Sequence, residues 1–176
     1  TVPKCFGLLD TSSVEATGVL RLRRQPFVDL LGQGVIIGFV DTGIEYTHPA
    51  FINADGTSRI LSVWDQTIRE GEPPEGLFYG TEYTKEQINE ALQSENPLSV
   101  VLSTDTDGHG TFLAGVAAGN IDEENDFTGM APLADIVVVK LKEAKEHLKE
   151  YFCVSKTAKA FAENDIMMGC RYLQNV

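Results

Sequence analysis

The sequence predicts an α/β fold: a partial doubly wound parallel sheet with helices on both faces. Three observations carry that expectation. The apolar run from Val35 to Val40 and the segment from Ile136 to Leu141, apolar apart from Lys140, are strand-sized, the pattern of strands covered on both sides. Segments with helical spacing lie between and after them, and alternation of strand and helix favours parallel pairing. The chain has 176 residues, 43% apolar and 23% charged, enough for one packed unit.

Taken in order, residues 1–33 read as a lead-in or junction segment, weakly periodic, with one basic knot at Arg21, Arg23 and Arg24. In an acidic chain such a knot reads as a solvated or ion-paired face. Residues 34–176 read as the main unit. Gly32-Gln33-Gly34 supplies the turn into the first strand, which ends at Asp41-Thr42-Gly43. Residues 52–104 are polar and punctuated by proline and glycine, a long insertion relieved by the short apolar segment Ile60 to Trp64. Within it Thr84-Lys85-Glu86-Gln87 has the form of a capping box, which predicts a helix towards Ser94. The small apolar residues after His109 predict a buried helix stopped by Gly119. An acidic loop, Asp122 to Asp126, leads to the second buried strand, and helical patterns follow in 142–152 and about 157–176.

Composition removes several classes of function. Fourteen basic against 26 acidic side chains leave a net charge of −12, which argues against a nucleic-acid surface. No apolar run approaches the roughly 20 residues of a membrane span. Cys5, Cys153 and Cys170 are odd in number and lack metal-type spacing, so they read as small, partly buried apolar residues. No cofactor is implied: no Gly-x-Gly-x-x-Gly follows a strand. The calcium-loop echo in Asp105-x-Asp107-x-His109-Gly110 fails at its twelfth position, Val116. The acidic loop at 122–126 reads as solvated, and Lys142 to Lys149, alternating with Glu143, Glu146 and Glu150, as an exposed helix face.

Two residues could carry chemistry. Asp41 stands at the carboxyl end of a buried strand and His109 at the start of a buried helix. In open parallel sheets the crevice outside the strands' carboxyl ends is where both should emerge. The positive field of a helix N-terminus disfavours an imidazolium and keeps the ring available as a base. A carboxylate bonded to the ring's other nitrogen would fix its tautomer and stabilise it once protonated. Each signal alone is weak, since a lone Asp at a strand end is commonly a cap.

Together their settings carry more. Gly34-Val35-Ile36-Ile37-Gly38-Phe39-Val40-Asp41-Thr42-Gly43-Ile44, followed by His48-Pro49, resembles the aspartate motif of the subtilisin-like serine proteases, the subtilases. Asp107-Gly108-His109-Gly110-Thr111-Phe112-Leu113-Ala114-Gly115 resembles their histidine motif, and Gly129-Met130-Ala131-Pro132 with the next strand resembles the segment after it. The order Asp, then His, is that of subtilisin. The resemblance implies that Asp41 is the orienting acid and His109 the general base of a serine endopeptidase acting on protein or peptide substrates. It also implies a prodomain as partner and a secreted or cell-envelope setting. Phe112, where the family usually has a second histidine, and the long 52–104 stretch are similar to the germination-type subtilases of spore-forming bacteria. Ala50 stands where many subtilases place a calcium-binding aspartate, which puts that site in doubt.

The nucleophile's Gly-Thr-Ser-Met-Ala-type motif, the oxyanion-hole Asn and the Ser-x-Gly-Gly strand have no counterpart here, and neither Ser99 nor Ser155 has an elbow-like setting. The helical pattern through Ile166, Gly169, Cys170, Leu173 and Val176 runs on without a capping signal. The expectation is the Asp-and-His part of a larger catalytic domain, inactive alone, with the remainder of that domain as partner. An uncovered sheet edge then predicts self-association, or disorder over 157–176. The alternative is a subtilase-fold pseudoprotease used for binding or regulation. A third reading, a small-molecule-binding α/β domain, requires Asp41 and His109 to lie apart.

Overall fold

The computed structural model describes residues 16–23 and 30–176. Cys5 and Arg24 lie outside them. A short helix α1 (Val19–Arg23) precedes strand β1 (Ile36–Asp41). Then come β2 (Ile60–Asp65), β3 (Thr81–Thr84), α2 (Lys85–Gln93), α3 (His109–Ala118), β4 (Asp135–Lys140), α4 (Glu146–Tyr151) and α5 (Glu163–Leu173).

The four strands form one sheet in the order β1-β4-β2-β3. β4 lies between β1 and β2 and pairs with both in parallel, while β3 closes the sheet's other side antiparallel to β2. The central place of β4 explains its unbroken apolar run. Ile136 and Val138 point into one core with Ile60, Val63, Ile88 of α2 and Ala114 and Ala118 of α3. Val137 and Val139 point into the other, with Trp64 and Tyr172 of α5. Alternate residues of a strand face opposite sides, so a strand with helices over both faces must be apolar throughout.

The capping box is present: Thr84 Oγ1 accepts from the Gln87 N–H, and the Gln87 side chain accepts from the Thr84 N–H. Helix α3 begins at His109 and stops before Gly119, as its sequence predicts. α5 reaches β1 because two glycines make room. A side chain on Gly38 would stand 2.7 Å from Leu173, and one on Gly169 would stand 2.9 Å from Val40.

Several expectations are corrected. Ile60–Asp65, in the stretch read as an insertion, is a strand of the sheet, and β3, short and polar, pairs with it. The last helix occupies only Glu163–Leu173 of the 157–176 pattern. Cys153 and Cys170 are exposed, not partly buried, because both lie on outward-facing positions. Arg23 is held by carbonyls: its guanidinium donates to Gly129 O at 2.6 Å, Met130 O at 2.8 Å and Thr128 Oγ1 at 3.1 Å. Lys149 is buried, with its ammonium on Glu143 and Ala158 O. Among the described residues no helix is long and apolar enough to cross a membrane.

Candidate active site

Asp41 is the last residue of β1, in register with Lys140 at the carboxyl end of β4, and Asp65 of β2 flanks Lys140 on its other side. The carboxyl edge of the sheet therefore carries a row of charged groups. Asp65 is fully buried and takes the Lys140 ammonium at 3.3 Å and the Ser103 hydroxyl at 2.7 Å, so that pair is satisfied within the fold. Asp41 is turned to another partner.

Sixty-eight residues along the chain, His109 opens α3, and its Nδ1 lies 2.8 Å from Asp41 Oδ1. The same carboxylate oxygen accepts the Thr42 N–H at 2.7 Å, which fixes its position. The helix comes this close because residue 110 is glycine. A Cβ there would stand 2.2 Å from the Gly43 carbonyl oxygen and 3.2 Å from Asp41 Oδ1. Gly43 in turn has φ +124°, a conformation side chains resist. The His109 side chain is 58% exposed and Asp41 18%, and Nε2 has no hydrogen-bond partner among the described residues. One nitrogen is thus anchored and the other is free on a largely exposed ring.

The hydrogen bond that the ring donates to Asp41, followed by the charge of that carboxylate, raises the His109 pKa above the ordinary imidazole value, with smaller contributions from Asp107 and Asp105. Neighbouring carboxylates thus set a shift opposite in sign to the one expected from the helix N-terminus. A base assisted in this way gains proton affinity and keeps its orientation.

The sequence reading missed the groups around the pair. Asp105 accepts four hydrogen bonds, from Gly108 N–H, Thr111 N–H, Thr111 Oγ1 and Thr42 Oγ1. Burial pushes its pKa up, but the bonds from Thr111, Gly108 and Thr42 outweigh burial and hold it below the usual carboxylate value. The signal was the pair of threonines, one after each candidate motif residue, but no spacing rule links them to Asp105. Asp107 pairs instead with Lys159.

Among the described residues no serine completes the pair, and none bonds His109: Ser99 donates to Asn96 O and Ser155 bonds Thr157. Ser58, which follows Gly56-Thr57, is fully buried with its Oγ accepting the Ile60 N–H. Nor do the described residues gather three or more His, Cys, Asp or Glu side chains that could hold a metal. Near Ala50 lies Arg59, whose guanidinium donates to the Ala50 carbonyl at 3.5 Å. The buried Arg59 guanidinium binds Ala118 O at 2.5 Å, Ala134 O at 2.7 Å and Asn120 Oδ1 at 2.5 Å.

Comparison with known proteins gives the family of the chain. The profile of the subtilase family, Peptidase_S8, matches residues 32–168, and the chain belongs to that family of serine proteases. Subtilisin-like protease SBT2.2 of Arabidopsis thaliana is 34% identical over 128 residues, covering 62% of this chain and 15% of the relative. Subtilisin-like protease SBT2.1 of the same plant is 33% identical over 132 residues, with the same two coverages. The structure of the Clostridium perfringens CspB protease is similar with a TM-score of 0.73 and 32% identity, covering 93% of this chain and 30% of that one. The chain thus spans about 15% of the length of the curated relatives it matches.

Proposed function

We propose that Asp41 and His109 are the orienting acid and the general base of a serine endopeptidase whose nucleophilic serine lies outside these 176 residues. The observation that carries this reading is the 2.8 Å bond from His109 Nδ1 to Asp41 Oδ1, made while Nε2 has no partner among the described residues. His109 Nε2 takes the serine hydroxyl proton as the oxygen attacks the peptide carbonyl carbon. Asp41 holds the ring and stabilises the imidazolium. The same proton then passes to the leaving amine, and an acyl-enzyme remains for water to hydrolyse with His109 again as base.

In subtilisin, loss of the serine or the histidine lowers kcat by about 10⁶-fold. The 176-residue chain is therefore expected to leave an unbiased peptide library uncut. Hydrolysis by it that His109→Ala abolishes would overturn the reading. In a longer protein containing this chain, a fluorophosphonate should label one serine, and His109→Ala should remove the label. Absence of a reactive serine there would favour the pseudoprotease alternative.

A further inference from the structure

The His109–Asp41 bond joins an imidazole that is 58% exposed to a carboxylate that is 18% exposed, on segments 68 residues apart. Solvent screens such a pair, and two free side chains resist being held in one geometry. Something must fix their backbones. One carboxylate sits between them: Asp105, which lies at the mouth of α3 and is only half-buried.

Its two oxygens divide the work. Oδ1 accepts from Thr42 Oγ1 at 2.9 Å and Gly108 N–H at 3.0 Å. Oδ2 accepts from Thr111 N–H at 2.9 Å and Thr111 Oγ1 at 2.6 Å. Thr42 is the neighbour of Asp41, and Gly108 is the neighbour of His109. Two further bonds close the ring: Thr42 Oγ1 accepts the Gly110 N–H at 2.9 Å, and Thr111 Oγ1 accepts the Glu45 N–H at 2.9 Å. Every one of these bonds ties the turn after β1 to the first turn of α3, or stiffens one of the two. Four donors and no competing acceptor suit the ionised carboxylate, and hydrogen bonds to a charged acceptor are about twice as strong as neutral ones.

We propose that Asp105 is a positioning residue: it clips the strand end bearing Asp41 to the helix start bearing His109 and so sets the geometry of the acid–base pair. The inference rests on the proposed roles of Asp41 and His109. Asp105 acts through Thr42, Gly108 and Thr111 and touches no reacting atom. An asparagine cannot replace it, because an amide would aim N–H donors at the donors already there. A simple helix cap predicts something different, namely lost stability with an unchanged His109.

The test is a pH titration of the His109 ring by NMR in the isotope-labelled chain, together with the downfield Nδ1 proton shared with Asp41. Asp41→Asn is the reference for a broken pair and should return the titration towards that of a free imidazole with loss of the proton. Asp105→Asn should reproduce part of this, a downward shift smaller than that of Asp41→Asn but larger than that of Asp107→Asn, with the proton lost or broadened. Asp107→Asn removes the same charge near His109 without touching Thr42 or Thr111, and should keep the proton. Thr42→Val removes the strand-side donor to Asp105 together with the acceptor of the Gly110 N–H and should behave like Asp105→Asn. Asp105→Ala, which leaves the Thr42–Gly110 bond in place, should do the same if Asp105→Asn fails to fold. Asp105→Asn or Thr42→Val with the Nδ1 proton intact, and a shift no larger than that of Asp107→Asn, overturns the positioning role. An Asp41→Asn titration identical to that of the unsubstituted chain instead overturns the reading of the pair itself.

Discussion

At the scale of single residues, proton linkage gives opposite signs to two neighbours. His109 has its folded pKa raised above the reference 6.5, by the Asp41 hydrogen bond first and by its charge next. Its contribution to stability is therefore fully present below 6.5 and is lost as pH rises through the folded value. Asp105 is depressed below 3.8 because its hydrogen bonds outweigh burial, so its contribution is present above 3.8 and lost as pH falls through the folded value. Thermal melts between about pH 5 and about pH 8 should thus show a small downward drift that Asp41→Asn flattens. An identical drift in both proteins would contradict the coupling. Arg59 belongs to a different class of residue. It is 3% exposed, forms no carboxylate ion pair among the described residues, and gathers carbonyls from the end of α3 and the approach to β4. Arg59→Met would strand those acceptors, and the expected loss is about 3 kcal/mol in urea denaturation. A change below about 0.5 kcal/mol would mean that water or neighbours re-satisfy them.

At the scale of elements, α3 tests its own packing through two glycines on one helix. Gly→Ala in a helix interior gains about 1 kcal/mol when there is space. Gly115 has space, for a Cβ there meets only Phe127 at 3.9 Å. Gly110 has none, because the same atom would lie 2.2 Å from the Gly43 carbonyl oxygen, a backbone atom with nowhere to go. Gly115→Ala is therefore expected to be neutral or stabilising. Gly110→Ala should cost about 2 kcal/mol and return the His109 titration towards that of a free imidazole, because the helix must retreat from Asp41. Equal effects from the two would show that the contact between α3 and the β1 turn is slack. The elements also mark how far the sequence could be read. β4 was legible because burial on both faces leaves an unbroken apolar signature. β1 and α3 were legible as apolar runs too, but β1 is an only partly covered edge strand rather than a buried one, and Phe112 of α3 is exposed. β2 appeared only as a short apolar segment, since its neighbours in sequence are polar loop. β3 left no mark, because Thr-Glu-Tyr-Thr sends only Tyr83 into the hydrophobic core. Asp41 and His109 could be picked out by their settings, whereas Asp105 could not, since its partner Thr42 is 63 residues away and only the fold brings them together.

At the scale of the whole molecule, the sheet is finished unevenly. β4 and β2 are paired on both sides, and β3 ends one edge as a four-residue antiparallel strand, the short kind that resists further pairing. β1 ends the other edge with six residues bonded only to β4 among the described residues, so alternate N–H and C=O groups point away from the sheet. Val35 is 51% exposed beside this edge and Ile36 50%, and neither a charge nor a proline guards the strand itself before Asp41. Such an edge is a template for a further strand. The chain by itself is therefore expected to self-associate through β1, with a weight-average mass that rises with concentration in sedimentation equilibrium. Ile36→Lys puts a charge on that edge at an exposed position and should move the protein towards monomer with little change in melting temperature. A sharp monomer at every concentration would show the edge to be covered already. Association that survives Ile36→Lys would place the contact elsewhere, with the exposed Met167 and Ile166 of α5 as the next surface to charge.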